Sequence, residues 1–162
     1  MNRFTAIRSN IVDAIKALPG INGTPVRKLG VPEDLFHLGD RQAIGVCTTD
    51  EEWFPEQRGL ADYRDNPAVM VIPIAILVNS EYPPESALED DGKIDDLTAA
   101  ILGSNQGDSG PGIRGVNVGT VETAAVYLTP IRTRIVPDAN RAAGSGGALV
   151  KVLEMQTTVL PI

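Results

Sequence analysis

The sequence predicts an α+β fold, in which a mostly antiparallel sheet is packed by an N-terminal helix and a second, central helix, with long loops. Three observations support this: an amphipathic helical pattern opens the chain, a uniformly apolar strand candidate lies near its middle, and two long strand candidates close it. Long strands that follow each other pair antiparallel, and helices cover the apolar face of such a sheet. The length of 162 residues suits one domain, 1–162.

The first helix is predicted from apolar residues that recur at helical spacing from Phe4 to Leu18. Charged and polar residues occupy the other side of the same segment. Pro19 and Gly20 end it.

Residues 21–66 show a looser pattern with several turn signals and one short strand candidate, 43–48. We therefore expect this segment to be an irregular region that decorates the core.

The strongest strand candidate is 68–78, which is dense in β-branched residues and has no polar position. A strand that is apolar on both faces is expected to be covered on both. We expect a helix on one side and either the same chain or a neighbouring subunit on the other. Pro73 cannot donate to a ladder, which indicates an edge position or a bulge.

A second helix is predicted at 93–102 and ends at Gly103. Five carboxylates lie at its start, where the helix dipole favours negative charge, and their spacing does not fit a calcium loop. Residues 104–115 read as a Gly-, Ser- and Asp-rich loop. Two strand candidates follow, 116–136 and 149–160, and a Gly-rich hairpin loop, 137–147, joins them.

Composition disfavours several classes of function. Fourteen basic against twenty-one acidic residues give a net charge of −7, which opposes tight binding to phosphate backbones. The single cysteine allows no intrachain disulfide. The longest apolar run is too short for the roughly 20 residues that a bilayer requires, and charges interrupt the N-terminal segment where a signal peptide would be apolar.

Motifs for catalysis are weak, so we predict no enzyme, no cofactor and no metal site. Residues 110–115, Gly-Pro-Gly-Ile-Arg-Gly, match the spacing of a dinucleotide fingerprint, but a helix precedes them and a strand follows, the reverse of what that motif needs. Cys47 with His37 and Asp40 is a conceivable nucleophile set, but a strand-like cysteine is ordinarily buried and inert. Trp53 and Phe54, among charges, are either a partner surface or a loop anchor.

The order of elements resembles the tail terminators and neighbouring neck proteins of long-tailed phages. The resemblance lies in the amphipathic opening helix, the apolar strand at 67–78, the acid-led helix ending Leu97-Thr-Ala-Ala-Ile-Leu102, and the closing strand at 149–159. It implies a homo-hexameric ring at the neck of the virion, made in the host cytoplasm. The ring would join the tail tube to the head-side connector, and would meet sheath proteins if the tail is contractile.

The resemblance also implies an axial channel, and an acidic lumen would let DNA pass without specific binding. The subunit interface is expected on the apolar strand and the aromatic pair, and a loop is expected to project to the channel or a partner ring. The interface residues are Val69, Val71, Ile74, Ile76, Trp53 and Phe54, and the loop residues are Asp138, Asn140, Arg141, Gly144 and Gly146.

Other classes stay open at this stage. Within a virion, a head–tail adaptor or stopper, a tail tube subunit and a baseplate subunit share strands, long loops and acidity. Outside it, the alternatives are a small cysteine-dependent enzyme and a host binding domain. Self-assembly into rings or stacks separates the first group from the second.

Overall fold

The computed structural model describes residues 2–21, 23–54, 66–80, 87–103, 110–136 and 147–162. Its sheet runs in the order β1-β2-β4-β6-β5, and β3 pairs with β4 beside β2. All pairings are antiparallel except β1 with β2. This confirms the predicted α+β fold with a mostly antiparallel sheet. The strands are β1 Val26–Lys28, β2 Gln42–Val46, β3 Asp50–Trp53, β4 Ala68–Ser80, β5 Thr129–Val136 and β6 Gly147–Val159, and the helices are α1 Arg3–Lys16 and α2 Ala87–Leu102.

Helix α1 begins where it was predicted. The side chain of Asn2 accepts a hydrogen bond from the backbone N–H of Phe4 at 2.9 Å, which caps the first turn. The helix ends at Lys16, and Gly20 follows with a φ of +87° that suits glycine. Arg8 secures α1 to the sheet, because its Nη2 donates to the carbonyls of Leu29 and of Val46, the latter at 2.8 Å.

Strand β4 is central in the sheet, so the edge position predicted at Pro73 is wrong. The predicted bulge has a counterpart, because the pairing shifts by one residue between Val46–Ile74 and Asp50–Val71, on either side of Pro73. Pro73 lies where β2 pairing ends, at Ile74, and β3 pairing begins, at Val71. Its carbonyl faces that side and accepts from the backbone N–H of Cys47 at 2.9 Å. The missing N–H of Pro73 therefore points to the gap between β2 and β3, and no hydrogen bond between β4 and β6 is lost.

Alternate residues of β4 face the two helices. Met70, Ile72, Ile74 and Ile76 are 0% exposed and belong to one cluster with the apolar faces of α1 and α2. This corrects the expectation that Ile74 and Ile76 form a subunit interface, because the protomer's own helices enclose them completely. The period-two alternation of a strand places the interface candidates Val69 and Val71 on the opposite face.

The described part of the segment predicted to be irregular, 21–66, contributes three strands and a 3-10 helix, Pro32–His37. That helix covers the upper part of the second sheet face, where Leu35 is 1% exposed in a separate cluster with Ala75 and Leu77. Gly45 of β2 leaves room for the side chain of Leu29 in the same cluster, because a Cβ there would lie 2.3 Å from Cδ1 of Leu29. The expectation of a mere decoration was wrong, since these residues complete the core.

The central helix is longer than predicted, since α2 begins at Ala87 instead of Lys93. Its C-terminus packs against the fingerprint-like segment. A Cβ on Gly112 would lie 2.3 Å from the carbonyl oxygen of Ile101, and Nε of Arg114 donates to the carbonyl of Leu102 at 2.6 Å. The glycines at 110–115 thus allow a close backbone approach that completes the helix end.

The closing strands also differ from the prediction in extent. Residues 116–128 contain no strand of the sheet, so β5 is limited to Thr129–Val136, while β6 begins at Gly147, earlier than expected. The rest of the Gly-rich hairpin loop, 137–146, lies outside the described residues.

Candidate assembly surface

The second face of the sheet is only partly covered. Beyond the 3-10 helix, Val69, Val71 and Pro73 of β4 are only partly buried. Their partners on β6 are Thr158, Gln156 and Glu154. We call this region the open half-face. It is a mixed apolar and polar surface on a rigid sheet, which suits contact with another protein better than it suits chemistry.

Strand β5 is an edge, because among the described strands it pairs with β6 alone. Two of its side chains, Ile131 and Ile135, are 50% and 53% exposed. The register shifts between Pro130 and Arg132, which places a bulge at the start of the strand. A free edge with exposed apolar residues is a place where another strand can add, and a bulge limits how much of it can pair.

Three charged residues form an ion-pair group on the same face as the open half-face. Arg132 and Arg134 both donate to Glu154, Arg132 through two nitrogens and Arg134 at 3.2 Å. Hydrogen bonds from Arg132, and then those from Arg134, hold the pKa of Glu154 below its usual range. Arg132 remains 68% exposed at its side chain, so the group presents net positive charge at the edge.

Strand β3 is acidic and lies across β4 from β6 and β5. Among the described strands it pairs with β4 alone, so it is an edge of the described sheet. Asp50 and Glu52 are exposed, and their register partners Val71 and Val69 place them on the open half-face. Neither carboxylate forms an ion pair with a described residue. The open half-face is therefore bordered by carboxylates at β3 and by guanidinium groups at β5.

The aromatic pair predicted as a partner surface lies at the end of β3. Trp53 is half-buried and meets the ring of Phe4 edge-on, with centroids 6.0 Å apart. Phe54 is half-buried beside it. The structure thus gives Trp53 an anchoring role and still leaves part of it accessible. The loop candidates Asp138, Asn140, Arg141, Gly144 and Gly146 lie outside the described residues.

A second exposed apolar group was not found from the sequence. Val121 and Ile162 are 94% and 86% exposed, and the bridge between Thr123 and Pro161 holds their segments together. Nothing in the sequence pattern marks them, because Val121 stands alone among small and polar residues and Ile162 follows Pro161 without a period of its own.

The cysteine set is not assembled as a nucleophile. Cys47 is 1% exposed, and burial raises the pKa of its thiol to about 12, so it stays neutral at physiological pH. Asp40 is engaged by Arg27, with Nε at 2.8 Å, and this hydrogen bond lowers the pKa of Asp40. A thiolate mechanism finds no support in this geometry.

The described part of the chain contains no group of three His, Cys, Asp or Glu residues that could hold a metal ion. No described helix is long and apolar enough to span a membrane.

Comparison with known proteins gives a structural match. No protein-family model matches the chain, and no curated protein does. The fold is similar to that of a chain in the virion of a native gene transfer agent (GTA) particle, with a TM-score of 0.54 at 12% identity. The match covers 97% of this chain and 96% of that one. At this identity the likeness establishes a shared fold, end to end.

Proposed function

We propose that this chain is a structural subunit of a virion, and more specifically a ring-forming, tail terminator-like subunit at the neck of a tailed phage or phage-like particle. It would join the tail tube to the head-side connector and surround the channel through which DNA passes. A homo-hexamer is the expected ring. Its partners would be further copies of itself, the tube, the neck proteins and, in a contractile tail, the sheath.

The observation that carries this proposal is the end-to-end likeness of fold to a chain of a virion particle. Both chains are covered almost completely, so the likeness includes the whole sheet with its helices and not a common fragment. The order of elements supports the same reading, because the opening helix and the apolar central strand that suggested a neck protein are present as α1 and β4.

The surface supports assembly as well. The helix-facing residues of β4 are packed by α1 and α2, while the open half-face and the β5 edge leave apolar side chains accessible on the described strands. Such surfaces on a protomer are typical of sites where subunits meet. A channel for DNA is compatible with the net charge of −7, since screened repulsion keeps phosphates from adhering to the wall.

Other positions in the same assembly remain as alternatives within this class. A head–tail adaptor or stopper, a tail tube subunit and a baseplate subunit would each use a ring or stack of copies. They differ in whether the chain closes a single ring or polymerises, and in which partner ring it binds.

The test is mass by light scattering behind a sizing column, with negative-stain images of the peak. A closed ring, six subunits for the terminator role, is expected. Open stacks or tubes would favour the tube alternative. A chain that stays monomeric at high concentration, and also fails to assemble on purified tail tubes, would contradict the proposal.

A further inference from the structure

We infer that two edge strands of the sheet form the contact between neighbouring copies. The basic edge at β5 of one copy pairs with the acidic edge at β3 of the next. The partner is a second copy of this chain, joined head to tail. The inference rests on the proposed ring and adds the residues that close it. It also determines which face of the sheet lines the channel.

Charge is the first argument. Arg132 and Arg134 at β5 and Asp50 and Glu52 at β3 all project on the face of the open half-face, as their pairing registers require. When β5 of one copy lies beside β3 of the next, these side chains share one face across the joint. Opposite charges on directly opposed residues stabilise an antiparallel pair, and like charges destabilise it.

Strand direction is the second argument. Strand β3 runs opposite to β4, whereas β5 runs with β4, because β6 between them reverses the direction once more. In a ring whose axis runs roughly along the strands, the neighbouring copy keeps these directions. Its β5 therefore meets β3 antiparallel, which is the more stable kind of ladder.

The offset along the strands is the third argument. Arg132 is level with Pro73, through Glu154, while Glu52 is level with Val69. Pro73 and Val69 are four positions apart on β4. Pairing Arg132 with Glu52 therefore requires each copy to be staggered by four residues relative to its neighbour.

The same stagger brings Arg134 level with Asp50, so both charge pairs form together. Four strands, β3, β4, β6 and β5, then carry a stagger of four residues, one residue per strand. A closed sheet of eight strands with a stagger of eight residues has the same ratio and a tilt of about 36°. This lies within the range of roughly 35–45° at which strands close into a ring.

Handedness then identifies the inner face. The side chain of Pro73 points to the open half-face and its carbonyl points to β2. For L-residues this means that, seen from the helix side with β4 pointing up, β3 lies to the left and β5 to the right. In this view, the stagger displaces the copy next to β5 upward, so the strands lean to the right relative to the ring axis. Right-twisted strands lean to the right when a ring is seen from outside, so the helices lie outside and the open half-face lies inside.

Other pairings of the edges are less favourable. A two-fold contact between two β5 strands would set Arg132 and Arg134 against their own copies. Strand β1, the remaining edge, carries Arg27 and Lys28 and is basic too. Beyond Arg134, the β5 strand of the neighbouring copy would lie opposite Thr48. The backbone N–H of Thr48 already donates to the carbonyl of Gly30, so the hydrogen bonds between the two copies are limited to the Arg132–Arg134 stretch.

The test uses two reversed variants of the full chain. The acid-edge variant carries Asp50→Lys and Glu52→Lys. The basic-edge variant carries Arg132→Glu, Arg134→Glu and Glu154→Arg, which retains the ion pairs within the protomer with the signs exchanged. A matched control, Asp96→Lys with Glu122→Lys, changes the net charge as much as the acid-edge variant at exposed positions outside both edges. Circular dichroism checks that each variant folds.

We expect each reversed variant alone to remain monomeric by light scattering, because its two edges then carry like charge. An equimolar mixture should recover rings in which the variants alternate, and the control should form rings like the wild type. Wild-type rings together with rings of either reversed variant, or a mixture that stays monomeric, would overturn this contact and leave the proposed function standing. A wild-type chain that never assembles, even on tail tubes, would overturn both.

Discussion

Two neighbouring positions of the central strand should respond very differently to the same charged substitution. Val71 is partly buried on the open half-face, between Asp50 and Gln156, whereas Ile72 is 0% exposed in the helix-facing core beside Met155. Ile72→Asp loses the transfer free energy of a buried side chain and leaves a polar group without a partner. The cost is about 5 kcal/mol or more, comparable with the whole stability of a typical domain.

Val71→Asp should cost much less. It removes a partly buried valine side chain and places a carboxylate opposite Asp50, for a total of about 1–2 kcal/mol. The sequence alone predicts that Val71→Asp would block assembly or folding, because a charge on a strand buried on both faces has no partner. The position of Val71 on the open half-face removes the expected block of folding. Urea denaturation followed by circular dichroism at pH 7 measures both variants. Equal destabilisation, or a native-like Ile72→Asp variant, would refute the assignment of the two faces.

Three further outcomes follow from local geometry. Gly112→Ala should lower the free energy of unfolding by about 1–3 kcal/mol more than Gly110→Ala does, and should lower Tm accordingly. Both glycines have positive φ, but of the two only Gly112 would bring a Cβ within 2.3 Å of a backbone oxygen. Equal Tm values for the two variants would contradict the close approach. Cys47, with its pKa raised to about 12, should resist iodoacetamide at pH 8 in the folded protein and react once unfolded, as mass spectrometry can follow. Glu154→Gln should reduce stability at pH 7, and its difference from wild type should shrink as pH falls through the lowered pKa of Glu154, because a carboxylate with a depressed pKa loses its contribution on protonation; a pH-independent difference in denaturation midpoints would exclude the ion-pair group as its cause.

The long periodic elements were predictable from the sequence. The stripe that begins at Phe4 gave α1, and the β-branched run gave β4 almost to its ends, because both patterns extend over many residues. Strands β1 and β3 were missed, since three or four residues are too few to establish a period. Helix α2 was predicted too short because Gly92 and its acidic neighbours weaken the helical signal.

The candidate surface was predicted only in part. The apolar pattern of β4 identified a strand with two covered faces, but it could not separate Ile74 and Ile76, enclosed by helices, from Val69 and Val71 on the other face. The position of the charged residues at the sheet edges could not be predicted from the sequence. Pairings that no local pattern encodes bring β3 and β5 to opposite edges of the described sheet. Edge charges become informative only once the strand order is known.

Pro73 makes the alignment of the central strand unique. A slip of β4 by one position would turn its apolar set away from the helices, and would also direct the proline nitrogen at β6, where a carbonyl would lose its donor. A slip by two would restore the faces but place the proline opposite β2 or β3, inside a ladder that needs the N–H. The missing backbone amide hydrogen of Pro73 thus disfavours misaligned pairings of the central strand. Any replacement that restores this donor should make misaligned forms easier to populate during folding.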